Sequence, residues 1–393
     1  MNFDIEKKEL LKGLLIVQSI AGRKTTLPIL SHVLMELEDN DTLYLTGTDL
    51  ETGVREGLAV NGRQRGKASV SAKKLYEIIR ELPDETIHIE KKENHWVIIK
   101  CGKSTFNLAG LDPEEFPSLP SFKEEYFSKI PSHTLTEMIE KTVFAASNEE
   151  SRYHLNGIFF VQAKQAGRDV LRMVATDGHR LALVHREGYR VRGIEKGIIL
   201  PKKGVLELRK ILGEKGAEEQ IEVYFDGTHG FLRIVKSLMI LRLIDGEFPE
   251  YEQVIPKENN KTVQVEREKI YACLRRISTM ASDRSEGIKL SIKKNALEGS
   301  SFNQDFGDAR EEVEVAYEGP PLEVGFNGRY LIEGLNVIDT NEVRVELKDE
   351  GSPAIMRPFS PEPPAGESGA STERTPSLLG LNDQLSIIMP MRI

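Results

Sequence analysis

The sequence is poor in the residues that stabilise secreted proteins and hold structural metals. Its 393 residues include two cysteines, Cys101 in a strand-like run and Cys273 in a helix-like run. Two distant thiols exclude a disulfide framework and a cysteine-rich zinc site, and they are typical of buried thiols in a reducing compartment. The eight histidines show no HExxH or other metal-ligand spacing. We therefore predict no metal and no cofactor.

The sequence also lacks the segments that direct a protein to a membrane. No apolar run approaches the ~18–20 residues that span a bilayer. The first residues, Met1-Asn2-Phe3-Asp4-Ile5-Glu6, lack the basic region and apolar core of a signal peptide. We expect a cytoplasmic protein with no membrane partner. The net charge of -9 weighs against a protein that coats nucleic acid through bulk basicity.

One apparent nucleotide-binding pattern does not meet its structural requirements. Gly102-Lys103-Ser104-Thr105 resembles the end of a phosphate-binding P-loop, but Val97 stands where that motif requires a glycine. A strand-like run also follows, where the motif would begin a helix. A hairpin turn is the better interpretation.

The chain contains one structural unit written three times. Each unit begins with a short alternating run and a helical pattern, and the apolar stripes of these helices are Leu10 to Val17, Leu135 to Phe144 and Ile270 to Ile277. Strands that end in a polar turn follow, and these are Leu43 to Asp49, Met173 to Asp177 and Leu297 to Asn303. A short strand, a second helix and further alternating strands close each unit.

This repetition predicts an α+β protein of three domains, each with two helices on the inner side of an antiparallel sheet. Phe116-Pro117 and Phe248-Pro249 mark the exits from the first two units. We predict domain boundaries at 1–123, 124–256 and 257–393. Residues 358–383 are rich in Pro, Gly, Ser, Glu and Thr, so we predict a flexible insert there, before the last strand.

Charge is distributed unevenly between helices and the rest of the chain. Predicted helices at 6–19, 71–82, 134–147, 202–215, 266–277 and 328–338 have a combined net charge of +6, although the whole chain carries -9. A single helix with this excess would simply expose lysines to solvent. Across six repeated helices, the excess favours a shared basic surface that attracts a phosphate backbone without reading sequence.

Asp177 and His179 are the one candidate acid–base pair. However, no Ser or Cys occupies a nucleophile setting, and the equivalent turns of the other two units lack the histidine. We therefore predict no catalytic residues, and we keep a hydrolase that uses Asp177 and His179 as the alternative from the enzyme class.

Three segments together show a resemblance to a known family. With the repeated unit, the segments Thr176 to Leu181, Gly246 to Tyr251 and Met389 to Ile393 resemble the bacterial DNA polymerase III β subunits, the sliding clamps. The similarity covers residues 1 to about 357 and resumes at the last strand.

The resemblance implies the DNA-clamp fold and a head-to-tail homodimer, in which six domains form a ring with twelve helices lining the hole. Such a processivity factor has no catalytic activity and encircles double-stranded DNA independently of its sequence. It tethers the catalytic subunit of DNA polymerase III, the clamp loader and other proteins with a clamp-binding motif. A clamp paralogue that acts as a drug-resistant substitute is a further alternative.

The resemblance also assigns residues. The DNA contacts of the family correspond here to Arg23, Lys24, Arg152, Tyr153, His154, Lys202 and Lys203. Its partner-peptide pocket corresponds to Leu155, Thr176, Gly178, His179, Arg180, Leu181, Pro249, Val254, Asn327, Tyr330, Met389, Pro390, Met391, Arg392 and Ile393. Gln253 and Ser285 stand where other members can carry Arg and Phe, and His154 stands where a tyrosine can occur. These departures predict a less basic, less aromatic pocket rim and weaken the case for base stacking at His154.

For the dimer contact, the resemblance implies Phe106 and Leu108 of one protomer against Thr279 and Met280 of the other. The strand-like segment from Lys103 to Ala109 would otherwise be an exposed edge that invites uncontrolled pairing. Burying it in a ring closure removes that liability.

Overall fold

A computed structural model describes residues 1–21, 26–39, 41–122, 126–215, 220–281, 286–360 and 383–392. Its α-helices are Lys7–Ile20 (α1), Ala72–Glu81 (α2), Ser132–Glu140 (α3), Lys202–Lys215 (α4), Arg267–Ser278 (α5) and Gly328–Asn336 (α6). Thus each predicted unit contributes two helices.

Antiparallel strands make up the rest of the regular structure. The first unit contains Asn2–Glu6 (β1), His32–Leu37 (β2), Thr42–Thr48 (β3), Thr52–Ala59 (β4), Asn61–Gln64 (β5), Gly66–Ser71 (β6), Thr86–Lys91 (β7), Val97–Cys101 (β8), Ser104–Leu108 (β9) and Gly110–Leu111 (β10). The second contains Ser128–Pro131 (β11), Gly157–Gln165 (β12), Arg168–Thr176 (β13), Arg180–Glu187 (β14), Ile198–Pro201 (β15), Gln220–Phe225 (β16), His229–Ile234 (β17) and Ser237–Arg242 (β18). The third contains Lys261–Glu266 (β19), Gly287–Lys293 (β20), Ala296–Asn303 (β21), Gly307–Glu314 (β22), Leu322–Asn327 (β23), Glu342–Leu347 (β24), Ala354–Phe359 (β25) and Asp383–Ile388 (β26).

Contacts divide the chain into two compact units. The first comprises Met1–Thr136, Val191–Ile194 and Lys203–Ile244, and the second comprises Glu137–Arg190, Glu195–Lys202 and Asp245–Ile393. The first unit holds a five-stranded sheet, β5-β1-β7-β8-β9, and a nine-stranded sheet, β10-β6-β2-β3-β4-β18-β17-β16-β11. The second holds an eight-stranded sheet, β15-β12-β13-β14-β26-β25-β24-β19, and a four-stranded sheet, β22-β21-β20-β23. Strands of the second repeat thus join sheets of the first and third repeats. The two compact units therefore do not coincide with the three domains predicted from the sequence, and those domain boundaries stay predictions.

Apolar periodicity explains why the helices lie on the sheets. In α1, Leu10, Leu14 and Val17 recur at helical spacing and are fully buried. Gly47 on β3 lets this helix approach closely, because a Cβ there would lie 2.6 Å from Val17 Cγ1. At the matching position of the third repeat, the Ser301 hydroxyl donates to the Ile277 carbonyl at 2.6 Å. The two repeats therefore place a helix over the same strand position.

The third predicted helix, 134–147, was wrong in its second half. The helix ends at Glu140, and a 3-10 turn occupies Val143–Ala145. The hydroxyl of Thr142 donates to the carbonyls of Met138 and Ile139 at 2.8 and 3.3 Å. A side chain that bonds back to the preceding turn competes with the helix ladder, which accounts for the early end.

The ends of the predicted insert, 358–383, belong to strands. Pro358 and Phe359 continue β25, and Asp383 begins β26. The prediction was therefore too wide at both ends, because composition alone does not register strand pairing. Residues 361–382 lie outside the described part of the chain.

Both cysteine side chains are buried, as the sequence predicted. Burial raises the pKa of the Cys101 thiol, and it raises the pKa of the Cys273 thiol to about 11. A thiol that stays protonated at neutral pH is a poor nucleophile. Neither cysteine is therefore suited to catalysis.

Candidate functional site: a turn, a buried arginine and two clefts

The turn between β13 and β14 is built by local hydrogen bonds. The Thr176 hydroxyl donates to the Arg180 carbonyl at 2.6 Å and accepts from the Gly178 amide at 3.1 Å. One carboxylate oxygen of Asp177 accepts from the amides of His179 and Arg180, both at 3.0 Å. Gly178 has φ +89°, which L side chains rarely adopt. The Thr-Asp-Gly triplet thus specifies a tight turn that leaves His179 exposed.

The guanidinium of Arg180 is the centre of the site. Arg180 is only 7% exposed. Its Nε donates to the second oxygen of Asp177 at 3.0 Å, one Nη donates to the Phe144 carbonyl at 2.7 Å, and the other pairs with the Glu333 carboxylate. The guanidinium carbon also lies 4.3 Å from the centre of the Tyr330 ring. A buried charge is tolerated only when paired and hydrogen-bonded, and these groups meet that requirement.

The electrostatics around Arg180 are set by burial and by paired charges. Burial opposes ionisation of Glu333, but hydrogen bonds from Arg329 and Arg180 outweigh it and hold the pKa of this carboxyl below its usual value. Burial, with the charge of Asp177, raises the pKa of Tyr330. Tyr330 therefore keeps its phenolic proton at neutral pH and remains a hydrogen-bond donor.

On one side of the turn lies an apolar cluster. Leu181 packs with Val174, Leu183, Tyr251, Ile355, Leu385 and Ile387, and Phe159, Phe248 and Ile255 border this cluster. The rings of Phe159 and Phe248 stack with centroids 5.0 Å apart. The predicted residues Leu155 and Thr176 are also buried, whereas Pro249 and Val254 are exposed. Sequence reasoning missed the aromatic part of this surface, although Phe248 had been noted as a repeat exit.

On the other side lies a polar cleft of 390 Å³, which is lined by Phe144, Ala146, Ser147, Asn148, Glu149, Asp177, His179, Arg180, Lys202, Arg329, Tyr330 and Glu333. The ammonium of Lys202 donates here to the Ala146 carbonyl at 2.6 Å and to the Asn148 side chain at 2.8 Å. Burial lowers the pKa of Lys202, and the charge of Arg180 lowers it further. Predicted as a DNA contact, Lys202 thus has its ammonium in the cleft beside His179.

The C-terminal segment crosses the site. The Met389 amide donates to the His179 carbonyl at 2.9 Å, and the Met391 amide donates to the Gly325 carbonyl at 2.9 Å. Pro390, Met391 and Arg392 line a further cleft, of 760 Å³, whose other walls are Lys289, Glu323, Val324, Gly325, Glu350 and Gly351. Ile393 lies outside the described residues. The predicted pocket residues of the turn and of the C-terminus are therefore joined by a direct hydrogen bond.

Asn327 has a local structural role. Its side-chain oxygen accepts from the Tyr330 amide at 3.2 Å, so it caps the N-terminus of α6. The cap fixes the first turn of the helix that carries Tyr330 and Glu333. Asn327 thus acts on the site by positioning α6.

Of the predicted DNA contacts, Arg152 and Tyr153 are exposed. They lie on a 3-10 segment, Glu150–Leu155, and the ring of Tyr153 meets that of His154 edge to face at 5.6 Å. Lys203 is also exposed and pairs with the carboxylate of Asp49. Arg23 and Lys24 lie outside the described residues.

The six observed helices carry sixteen Lys and Arg against nine Asp and Glu. The excess lies in α1, α2, α4 and α5, whereas α3 has two glutamates and no Lys or Arg. The net basic excess of the helices therefore comes from four of the six.

The predicted dimer residues lie beside two strands that end their sheets. Phe106 is exposed and Leu108 half-buried on β9. Thr279 is exposed at the end of α5, and the Met280 Cε lies 3.7 Å from where a Cβ on Gly307 of β22 would stand. Phe106 and Leu108 thus lie on β9, and Met280 lies near β22. Each of these strands pairs with a single other strand among the described residues.

The geometry does not support acid–base chemistry at the turn. Both oxygens of Asp177 are engaged by backbone amides and by Arg180. No group of three or more metal-ligating side chains occurs within the described residues. None of the helices in the described ranges is long and apolar enough to cross a membrane.

Comparison with known proteins places this geometry in context. Family models of the DNA polymerase III beta subunit match the chain in three consecutive parts: the N-terminal domain at residues 1–120, the central domain at 129–250 and the C-terminal domain at 252–363. The beta sliding clamp of Pseudomonas putida is 31% identical over 394 residues and covers 100% of both chains. The beta sliding clamp of Vibrio cholerae is 33% identical over 91% of this chain and 95% of its own.

Solved structures agree in fold along the whole chain. The DNA polymerase sliding clamp from Pseudomonas aeruginosa with ligand superposes with a TM-score of 0.88 at 31% identity, covering 100% of both chains. The DNA polymerase III subunit beta from Bartonella birtlesii, a sliding clamp bound to griselimycin, gives a TM-score of 0.90 at 31% identity with the same coverage.

Proposed function

The chain belongs to the family of bacterial DNA polymerase III β subunits, the sliding clamps, and we propose that two copies close head to tail into a ring around double-stranded DNA. Members of this family are non-catalytic processivity factors, and the three-domain clamp fold applies to this chain. The ring, the DNA contacts and the partner contacts are the proposed part.

The sheet topology is the observation that carries the ring. Each large sheet contains two four-strand blocks from successive repeats: β6-β2-β3-β4 meets β18-β17-β16-β11, and β15-β12-β13-β14 meets β26-β25-β24-β19. The nine-stranded sheet has β10 in addition. The two smaller sheets contain the remaining blocks, β23-β20-β21-β22 and β9-β8-β7-β1. In the two large sheets, β4 and β14 each pair with a strand of the following repeat, β18 and β26. The corresponding strands of the two remaining blocks are β22 and β9, so the same arrangement would pair β22 with β9. A junction between the third repeat of one copy and the first repeat of the next closes a ring with two copies.

The repeats also supply the register of that junction. In the first junction, Gly53 on β4 pairs with Thr48 on β3 and, on its other side, with Ile240 on β18. In the second, Leu181 on β14 pairs with Thr176 on β13 and with Ile387 on β26. Phe302 holds the place of Thr48 and Thr176, and its partner on β22 is Asp308.

The residue of β9 that corresponds to Ile240 and Ile387 is Asn107. It pairs with Ile98 on β8, as Ile240 pairs with Phe231 and Ile387 pairs with Ile355 on the equivalent neighbouring strands. The shared register therefore sets Asp308 against Asn107, Ala309 against Phe106 and Gly307 against Leu108. A small residue on β22 thus faces each of the two large apolar side chains that the resemblance assigned to the dimer contact.

Charge favours the same partner. From Gly307 to Glu314, β22 carries four carboxylates and one arginine. The opposing β8–β9 hairpin, from Val97 to Leu108, carries Lys100 on β8, Lys103 in the turn and no acidic residue, and its edge strand β9 is uncharged. The basic hairpin attracts the acidic β22, whereas the carboxylates of β22 disfavour its pairing with a second β22.

DNA binding follows from the helices. The basic excess on α1, α2, α4 and α5 would hold DNA through screened, sequence-blind phosphate contacts, which permit sliding. Exposed Arg152, Tyr153 and Lys203 are candidate contacts, together with Arg23 and Lys24. A protein that acts on DNA in a bacterium is expected in the cytoplasm.

Partner binding follows from the turn and its two clefts. The half-buried side chains of Phe159, Phe248 and Ile255, which border the cluster around Leu181, offer an apolar surface. His179, which is exposed, and the Met389–Arg392 segment present polar groups near it, and the buried Arg180 holds the turn in place. This combination suits a short peptide with apolar anchors. We assign the peptides to the polymerase III catalytic subunit, the clamp loader and other proteins with a clamp-binding motif.

Retention on DNA tests the ring. Chain loaded onto a nicked circular plasmid should stay bound at moderate salt, and cutting the plasmid should release it. Phe106→Asp, which places a charge in the β9·β22 junction, should give monomers and abolish retention. Retention on DNA with free ends would show that binding is not topological.

Removing the residues after Ile388 tests the partner site separately. This variant should lose affinity for the polymerase while keeping its dimeric mass, because the removed segment hydrogen-bonds to the turn and to β23, whereas the proposed junction joins β9 and β22. Unchanged polymerase affinity would refute the pocket.

A further inference from the structure

Exposed aromatic side chains concentrate at the two strand edges. Within the described ranges, five aromatic residues are exposed, and four lie on or beside β8–β9 or β21–β22: Trp96, Phe106, Phe302 and Phe306. Trp96, Phe302 and Phe306 are 43%, 65% and 75% exposed. Such a concentration of large apolar side chains indicates an interaction surface, whereas scattered ones would need no explanation.

Phe106 is accounted for by the ring junction, but the other three are not. Val97 and Ile99 are fully buried on β8, so the alternate positions, Trp96 and Ile98, belong to the opposite face of the sheet. On β21, Ser301 bonds to α5, so its neighbour Phe302 also belongs to the face away from the helices. Phe306 stands in the turn directly before β22.

The register of the proposed junction brings these residues to one place. Val97 pairs with Leu108, the last pair of that ladder, and Leu108 would face Gly307, the first residue of β22. The row one residue beyond these strand ends would therefore contain Trp96, Ala109 and Phe306. Strands lie ~4.8 Å apart, which puts the backbones of Trp96 and Phe306 about 10 Å apart with a small alanine between them. Two aromatic side chains can meet across that gap at the 4.5–7 Å typical of ring pairs.

Resting on the proposed ring, we propose that Trp96 of one copy packs against Phe306 and Phe302 of the next. These three residues form an aromatic clasp on the outer face of each ring junction. The occupant is a second copy of this chain, because the register and the opposite charges of β22 and the β8–β9 hairpin specify it. The clasp adds apolar contact, which salt does not screen, to a junction whose charge contribution weakens in salt.

Dimer dissociation constants of Trp96→Ala, Phe306→Ala and the double variant, measured by sedimentation velocity at two salt concentrations, test the clasp. Truncating an aromatic hot-spot residue typically weakens one interface about 30-fold. Dissociation of the dimer opens two identical junctions, so we expect about the square of that loss, roughly 10³-fold, for each single variant. The double variant should lose less than the product of the two, because both changes remove the same contact. Val235→Ala, at an exposed site away from both edges, should change nothing.

The outcomes separate the clasp from the ring. If Phe106→Asp breaks the dimer but Trp96→Ala and Phe306→Ala change its dissociation constant less than twofold, the clasp is wrong and the ring stands. Fully additive losses would also overturn the clasp, because they would show that the side chains of Trp96 and Phe306 do not touch. A wild-type chain that stays monomeric at ~10 μM would overturn the ring and the clasp with it.

Discussion

Replacing Arg180 with methionine tests the centre of the candidate site. The change removes a buried charge that satisfies Asp177, Glu333 and the Phe144 carbonyl, and it leaves the two carboxylates without their shared cation. Removing one partner of a buried pair costs about 3–5 kcal/mol, because the remaining charge stays desolvated. We therefore expect a loss of that size in the free energy of unfolding of the unit that contains Arg180.

A matched control lies on the same pair of strands. Arg168 on β13 pairs with Glu187 on β14 at 3.0 Å, but its side chain is 63% exposed. An exposed pair is worth about 0–1 kcal/mol, so Arg168→Met should be nearly silent. Arg180→Met combined with Glu333→Met should cost less than Arg180→Met alone, since the second change removes a half-buried carboxylate that would otherwise keep only its pair with the exposed Arg329.

The assay should observe the whole chain, because its single tryptophan, Trp96, lies in the other compact unit. Differential scanning calorimetry of the four proteins meets that requirement. A loss below about 1 kcal/mol for Arg180→Met, equal to that of Arg168→Met, would refute the argument that burial decides the strength of this pair.

Three further predictions concern the same surfaces. Gly178→Ala should lower the free energy of unfolding by about 1–2 kcal/mol, because Gly178 has a positive φ. Gly213→Ala, on an exposed turn of α4 with no atom near the new Cβ, should raise it by about 0.5–1 kcal/mol. Equal effects of the two substitutions in thermal unfolding would contradict the strain argument. The folded-state pKa of Glu333 is lowered from 4.5, so its contribution to stability is present above that pH and is lost as the pH falls through the lower value; Glu333→Gln should flatten this part of the pH–stability curve, and an unchanged curve would exclude the assignment. Arg152→Ala should reduce the slope of log affinity for DNA against log salt by about one, and an unaltered slope in a binding titration would remove Arg152 from the DNA contacts.

Several features of the site could be read from the sequence because their causes are local. The hydrogen bonds of Thr176, Asp177 and Gly178 stay within four residues, so the triplet predicts a turn at this position. The apolar spacing of Leu10, Leu14 and Val17 likewise predicts a helix and its buried face.

Other features depended on residues far apart in the chain. The ammonium of Lys202 bonds to a carbonyl 56 residues away, a contact that no spacing in the sequence indicates. The stack of Phe159 on Phe248 had no sequence signal at all, because the two rings belong to unrelated segments.

By itself, the sequence determined the threefold repeat, the six helices, the strand-end turns and the family, since these depend on local periodicity and on motifs in order. Only the tertiary structure decided that Arg180 is a buried hub, because its partner Glu333 is 153 residues distant and the two meet only after β14 and α6 have packed. The tertiary structure likewise decided which strand blocks join and which two remain at sheet ends. Strand pairing depends on hydrogen bonds between distant segments, and a repeat written three times does not itself say which of its strands pair.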